Sequence, residues 1–152
     1  MDRLKHNMKR TIFLTTLFSI GVSLNPAFSG EKWKFKIVIN SENPTRKIDR
    51  KFLSDLFLKK SSQWKDGEPA IPVDLPMESP TRKDFSDEVL DRSVDAVKNY
   101  WQQMIFSGRE LPPPELKTDQ AVIKYVINNK NAVGYVSDGT EVSGAKVLQI
   151  GE

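Results

Sequence analysis

The chain has 152 residues, 28% of them charged, with 23 Lys+Arg against 20 Asp+Glu, no cysteine and a single histidine, His6. The absence of cysteine excludes disulfides, thiolate metal centres and a lipid-modified N-terminal cysteine, and the lone His6 removes Ser-His-Asp triads and Cys/His zinc sites from the rest of the chain. The basic excess is local: residues 1–29 hold four of the basic and one of the acidic groups, so the remainder balances at 19 against 19 and lacks the broad basic footprint that nucleic-acid binding needs.

Taken in chain order, Arg3, Lys5, Lys9 and Arg10 precede an apolar run from Thr11 to Leu24, followed by Asn25-Pro26-Ala27-Phe28-Ser29-Gly30. Ala27 and Ser29 occupy the small-residue positions before a cut ahead of Gly30. This three-part pattern predicts a secretory signal peptide over 1–29 and a periplasmic or secreted product. The apolar run is shorter than the roughly 20 residues of a spanning helix, so no stable membrane anchor is expected. The 123 residues from Gly30 to Glu152 suit one compact domain.

Trp33 to Asn40 (WKFKIVIN) reads as a strand with Phe35, Ile37 and Ile39 on one face and Val38 apolar on the other. Asp49 caps a helix to about Lys59 whose buried stripe is Phe52, Leu53, Leu56 and Phe57. Trp64-Lys65-Asp66-Gly67 is a turn, and Ile71 to Asp74 a second strand. A helix follows Ser79 to about Leu90. Ser93 caps another, with Val94, Val97, Trp101, Met104 and Ile105 at helical spacing and Ser107-Gly108 at its end. Pro112-Pro113-Pro114 is a rigid connector. Thr118 or Asp119 starts a helix to about Asn129, and Ala132–Val136 and Lys146–Ile150 are short apolar strands. Strands alternating with helices predict an α/β domain: a central, mostly parallel or mixed sheet with helices on both faces. In such sheets ligands bind beyond the carboxyl ends of the strands. Asn40-Ser41, Asp74–Ser79 and Tyr135–Ser137 are therefore expected to converge on one crevice.

The stretch Met77-Glu78-Ser79-Pro80-Thr81-Arg82-Lys83-Asp84-Phe85 stands out within this pattern. Serine then proline at a strand-to-helix junction is an N-cap followed by a proline at the first helical position. Free N–H groups and the positive end of the helix dipole suit an anion there, and Ser79, Thr81 and Arg82 add two hydroxyls and a guanidinium. The plainer reading of the same residues is a well-capped helix with a solvated arginine. Phosphate-loop and dinucleotide glycine motifs are absent. No pair of carboxylates has a spacing that singles it out, and Asp84, Asp87 and Glu88 read as a solvated face. Neither catalysis nor a cofactor is expected.

The order Phe52-Leu53-Ser54-Asp55-Leu56-Phe57-Leu58, Trp64-Lys65-Asp66-Gly67, Ile71-Pro72-Val73-Asp74, Ser79-Pro80-Thr81-Arg82-Lys83-Asp84-Phe85, Tyr100-Trp101, Phe106-Ser107-Gly108 and Gly134-Tyr135-Val136 resembles the small phosphate-binding-like relatives of phosphate ABC transporter substrate-binding proteins. The resemblance covers nearly all of residues 30–152. It implies a single lobe of a periplasmic binding protein fold that takes an oxyanion, phosphate first, at a Ser-Gly-Thr segment followed by Phe. Ser79, Thr81 and Phe85 match that segment, with Pro80 in place of the glycine and one N–H donor fewer. One lobe supplies half the usual ligand shell, so binding is expected to be weak. The expected ligand set is Ser79, Thr81, Arg82, Asn40, Ser41 and Tyr135. The alternative is an envelope interaction protein that keeps this fold and binds a protein partner.

Overall fold

The computed structural model describes residues 33–151, and the expected signal peptide lies outside them. The elements are β1 (Phe35–Asn40), β2 (Lys47–Asp49), α1 (Arg50–Phe57), β3 (Ile71–Pro72), α2 (Pro80–Glu88), α3 (Val94–Phe106), α4 (Asp119–Asn128), β4 (Ala132–Ser137) and β5 (Ala145–Gly151). All four helices begin at side-chain caps, Asp49, Ser79, Ser93 and Thr118, each accepting a backbone N–H from the first turn. Three of these caps are as the sequence predicts, and Thr118 rather than Asp119 is the fourth. The α1 helix ends two residues earlier than predicted because Lys59 turns into the left-handed region, φ 54°.

The five strands form one mixed sheet in the order β2-β5-β1-β4-β3. β1 runs antiparallel to both β4 and β5, whereas β2 pairs parallel with β5 and β3 parallel with β4. Four strands therefore point one way and β1 alone points the other. β2 has a single apolar residue, Ile48, which is too short a pattern to read from sequence.

Register sets which side chains share a face. Ile37 stands opposite Tyr135 and Val38 opposite Gly134. On the Tyr135 face, Phe85 of α2 and Phe57 of α1 meet Phe35 and Tyr135 with ring centroids 3.9 to 6.4 Å apart. On the other face α4 packs on Gly134. A Cβ there would stand 2.5 Å from Val122 Cγ1, so the missing side chain is what lets α4 approach. β1 is thus covered on both faces, which accounts for Val38 being apolar in an otherwise alternating strand.

Candidate functional site

The chain leaves β3 through Val73 and Asp74 and turns through Leu75–Ser79 into α2. The connector after α3 returns alongside: Asp74 N–H donates to Pro114 O (2.9 Å) and Leu116 N–H to Asp74 O (2.8 Å). β4 brings Tyr135 to the same place. These segments enclose a polar cluster within apolar surroundings.

Arg82 is its centre. It sits in the first turn of α2 and is only 4% exposed. Its Nη1 lies 2.7 Å from Asp74 Oδ2 and 3.5 Å from Glu115 Oε1, and donates to Leu75 O at 2.6 Å. The Tyr135 hydroxyl donates to Asp74 Oδ1, which also accepts Leu75 N–H at 3.0 Å. Tyr135 is held in place by its ring, stacked on Phe85 at 3.9 Å with the planes 3° apart. Two buried donors or acceptors on this helix lack protein partners, Arg82 Nε and, one turn on, Ser86 Oγ.

One guanidinium thus faces two carboxylates. Burial pushes the Asp74 carboxyl up to about 6, against the pull of Arg82 and the hydrogen bonds from Tyr135 and Leu75. Burial, and then the charge of Asp74, push the Tyr135 phenol well above its ordinary range, so it remains a hydrogen-bond donor.

At the surface of the cluster, Ser79 Oγ accepts Arg82 N–H at 3.4 Å and retains its own hydroxyl hydrogen to donate. Ser79 N–H is engaged by Pro76 O (2.9 Å) and Pro80 has none to give. The helix start therefore offers an incoming anion the Thr81 N–H and the hydroxyls of Ser79 and half-buried Thr81.

The structure brings Ser79, Thr81, Arg82 and Tyr135 together and separates Asn40 and Ser41 from them. β1 is antiparallel to β4, with Phe35 beside Ser137, Ile37 beside Tyr135 and Ile39 beside Val133, so Asn40 lies at the end of the sheet where β4 begins, and its side chain is on the α4 face, away from the Tyr135 ring. The expected convergence of strand ends thus fails for β1. Asn40 instead ties down α4: its amide donates to Val126 O (3.0 Å) and Ile127 O (2.8 Å), and its oxygen accepts Glu42 N–H. Ser41 is an exposed turn residue. Arg82 is not the solvated side chain of the plainer reading either. Sequence reasoning placed Asp74 at a strand end beside the crevice without pairing it with Arg82, and passed over Glu115. The available signal was an acidic residue closing the apolar run Ile71-Pro72-Val73. A separate groove of about 380 Å³, lined by Gln120, Ile123, Ile127 and Glu141 among others, contains none of the predicted residues.

No family model matches the sequence, and no curated protein is similar to it. Solved structures do match. An ABC-type phosphate transport receptor from Vibrio cholerae aligns at 20% identity and TM-score 0.59, over 77% of this chain and 46% of its own. A putative phosphate ABC transporter substrate-binding protein from Clostridium perfringens, solved with bound phosphate, aligns at 17% and 0.58, over 77% and 44%. PstS from Borrelia burgdorferi aligns at 11% and 0.60, over 78% and 47%. The chain spans less than half the length of these proteins. The likeness is one of fold: this chain has the architecture of a single lobe of a periplasmic binding protein.

Proposed function

We propose that this chain is an exported, non-enzymatic solute-binding-like domain that takes phosphate or a related oxyanion weakly at the first turn of α2. The observation that carries this reading is the position of that turn. In a lobe with the fold of phosphate-binding proteins, Ser79 and Thr81 present hydroxyls and an N–H at the sheet end where β3 and β4 finish. Ser79 and Thr81 supply short hydrogen bonds, and the helix dipole supplies a partial positive charge. Arg82 lies beneath them with its charge already matched, so affinity is expected near the millimolar end, about −4 kcal/mol. The test is calorimetric titration of the purified protein with phosphate and sulfate, with chloride at equal ionic strength as control. Binding lost in Thr81→Ala supports the site, and responses to phosphate and sulfate no larger than to chloride would remove it.

The interaction-protein reading is favoured by a different observation. Phe106 is 90% exposed at the end of α3, after Ile105 at 48%, and Leu111 in the connector that follows is 66% exposed. A photocrosslinker at position 106 in cells tests it. A discrete adduct would support a protein partner, and only solvent-quenched product would count against one.

A further inference from the structure

The last turn of α3 and the start of the connector after it form an exposed run from Ile105 to Pro112. The backbone there is held at both ends. Gly108, at φ 65°, closes the helix: its N–H reaches Ile105 O at 3.0 Å and Arg109 N–H reaches Met104 O at 3.1 Å, the two bonds of a Schellman stop. Pro112-Pro113-Pro114 stiffens the other side, where Pro114 O accepts Asp74 N–H. Between these fixed points Ile105, Gly108, Arg109, Glu110 and Leu111 line a hollow of about 260 Å³ beside the Phe106 backbone. Ile105 and Leu111 make it apolar, and it carries one charge of each sign. Neither Arg109 nor Glu110 has an ion-pair partner among the described residues.

We propose that Phe106 and this hollow form a two-fold interface with a second copy of this chain, the Phe106 ring of each copy entering the other's hollow. This names the partner of the interaction-protein reading and rests on that reading. The charge order argues for a second copy rather than a different protein. A basic and an acidic residue side by side are self-complementary: a two-fold axis sets Arg109 of one copy against Glu110 of the other, and Glu110 against Arg109. The patch is net neutral, so it offers no long-range attraction to a strongly charged partner. The aromatic anchor sits on a backbone already fixed by the helix stop and the prolines, so little order is lost when it docks. Size sets the strength. Phe106 has about 150–250 Å² to bury. With Ile105 and Leu111 as the other exposed apolar side chains, the interface stays below about 1,200 Å² in total, the range of weak, transient contacts.

Sedimentation equilibrium of the purified protein from about 10 µM to about 1 mM makes the test. A dissociation constant on the order of 100 µM is expected, with growth that stops at two copies. Phe106→Asp is expected to weaken association about tenfold or more and, because the side chain is 90% exposed, to leave the urea midpoint unchanged. Arg109→Glu and Glu110→Arg each weaken self-association about fivefold, because like charges then meet across the axis. Their equimolar mixture regains the parent's affinity, since each copy then carries the charge the other lacks. A parent that stays monomeric throughout, an association indifferent to Phe106→Asp, or a mixture no tighter than either variant alone overturns the proposal. The crosslink at position 106 separates the two readings. An adduct of two copies supports the two-fold interface. An adduct with another protein, while the purified chain stays monomeric, overturns it and leaves the interaction-protein reading in place. No adduct together with a monomeric chain removes both.

Discussion

Stability is expected to fall as pH rises from about 4 to about 6, and Asp74→Asn is expected to abolish that fall. The cause is the burial of Asp74 beneath α2, which lifts its carboxyl from 3.8 to about 6 in spite of Arg82 at 2.7 Å. A carboxyl whose folded pKa is raised binds its proton more tightly in the folded than in the unfolded chain. Its contribution is therefore fully present below about pH 4 and is lost as pH climbs through the folded value. A gap of about two pH units, at ~1.4 kcal/mol each, makes the loss ~3 kcal/mol. Urea denaturation at a series of pH values between 4 and 8, read as parent minus Asp74→Asn, isolates this group from carboxylates common to both. The expected difference curve drops by about 3 kcal/mol between pH 4 and 7 and is flat above. A curve flat throughout would refute the reasoning. One that rises with pH would mean that attraction to Arg82 outweighs burial, and that the ion pair stabilises the charged form.

Three further outcomes follow from particular contacts. Arg82→Ala strands a buried Asp74 and should cost ~3–5 kcal/mol in urea denaturation at pH 8 without any ligand, and less at pH 5, where Asp74 is protonated. Asn40→Ala frees two carbonyls at the end of α4 and should cost about 1–3 kcal/mol in denaturation, while leaving any phosphate response measured by calorimetry intact, since it lies at the other end of the sheet. Gly134→Ala pushes a methyl to within 2.5 Å of Val122 and should cost about 1–3 kcal/mol by overpacking, seen as earlier exchange of α4 amides as well as a lower urea midpoint.

The local rules were legible in the sequence because each is carried by neighbours along the chain. Asp49, Ser79 and Ser93 announced three of the helix starts, and the spacing of Phe52, Leu53, Leu56 and Phe57 announced the inward side of α1, on which Leu53, Leu56 and Phe57 are buried and Phe52 is half-buried. The polar–apolar alternation of Phe35, Ile37 and Ile39 marked β1, whereas the reason for the extra apolar Val38, a second face covered by α4, lay in the packing. Strand direction has no such local signature. Whether β1 runs with or against β4 depends on the path between them, and that one choice moved Asn40 and Ser41 from the expected crevice to the far end of the sheet. Burial of charge is equally non-local. Arg82 in sequence is one more cation on a polar helix, and only packing against Asp74, Tyr135 and the returning connector at Glu115 makes it a buried partner rather than a free hand for ligand. The sequence by itself determined the hydroxyls and the cap at the start of α2, because a cap is a contact between residues three apart. The tertiary structure decided how much positive charge remains there, because the carboxylates that cancel it come from eight residues before Arg82 and 33 after.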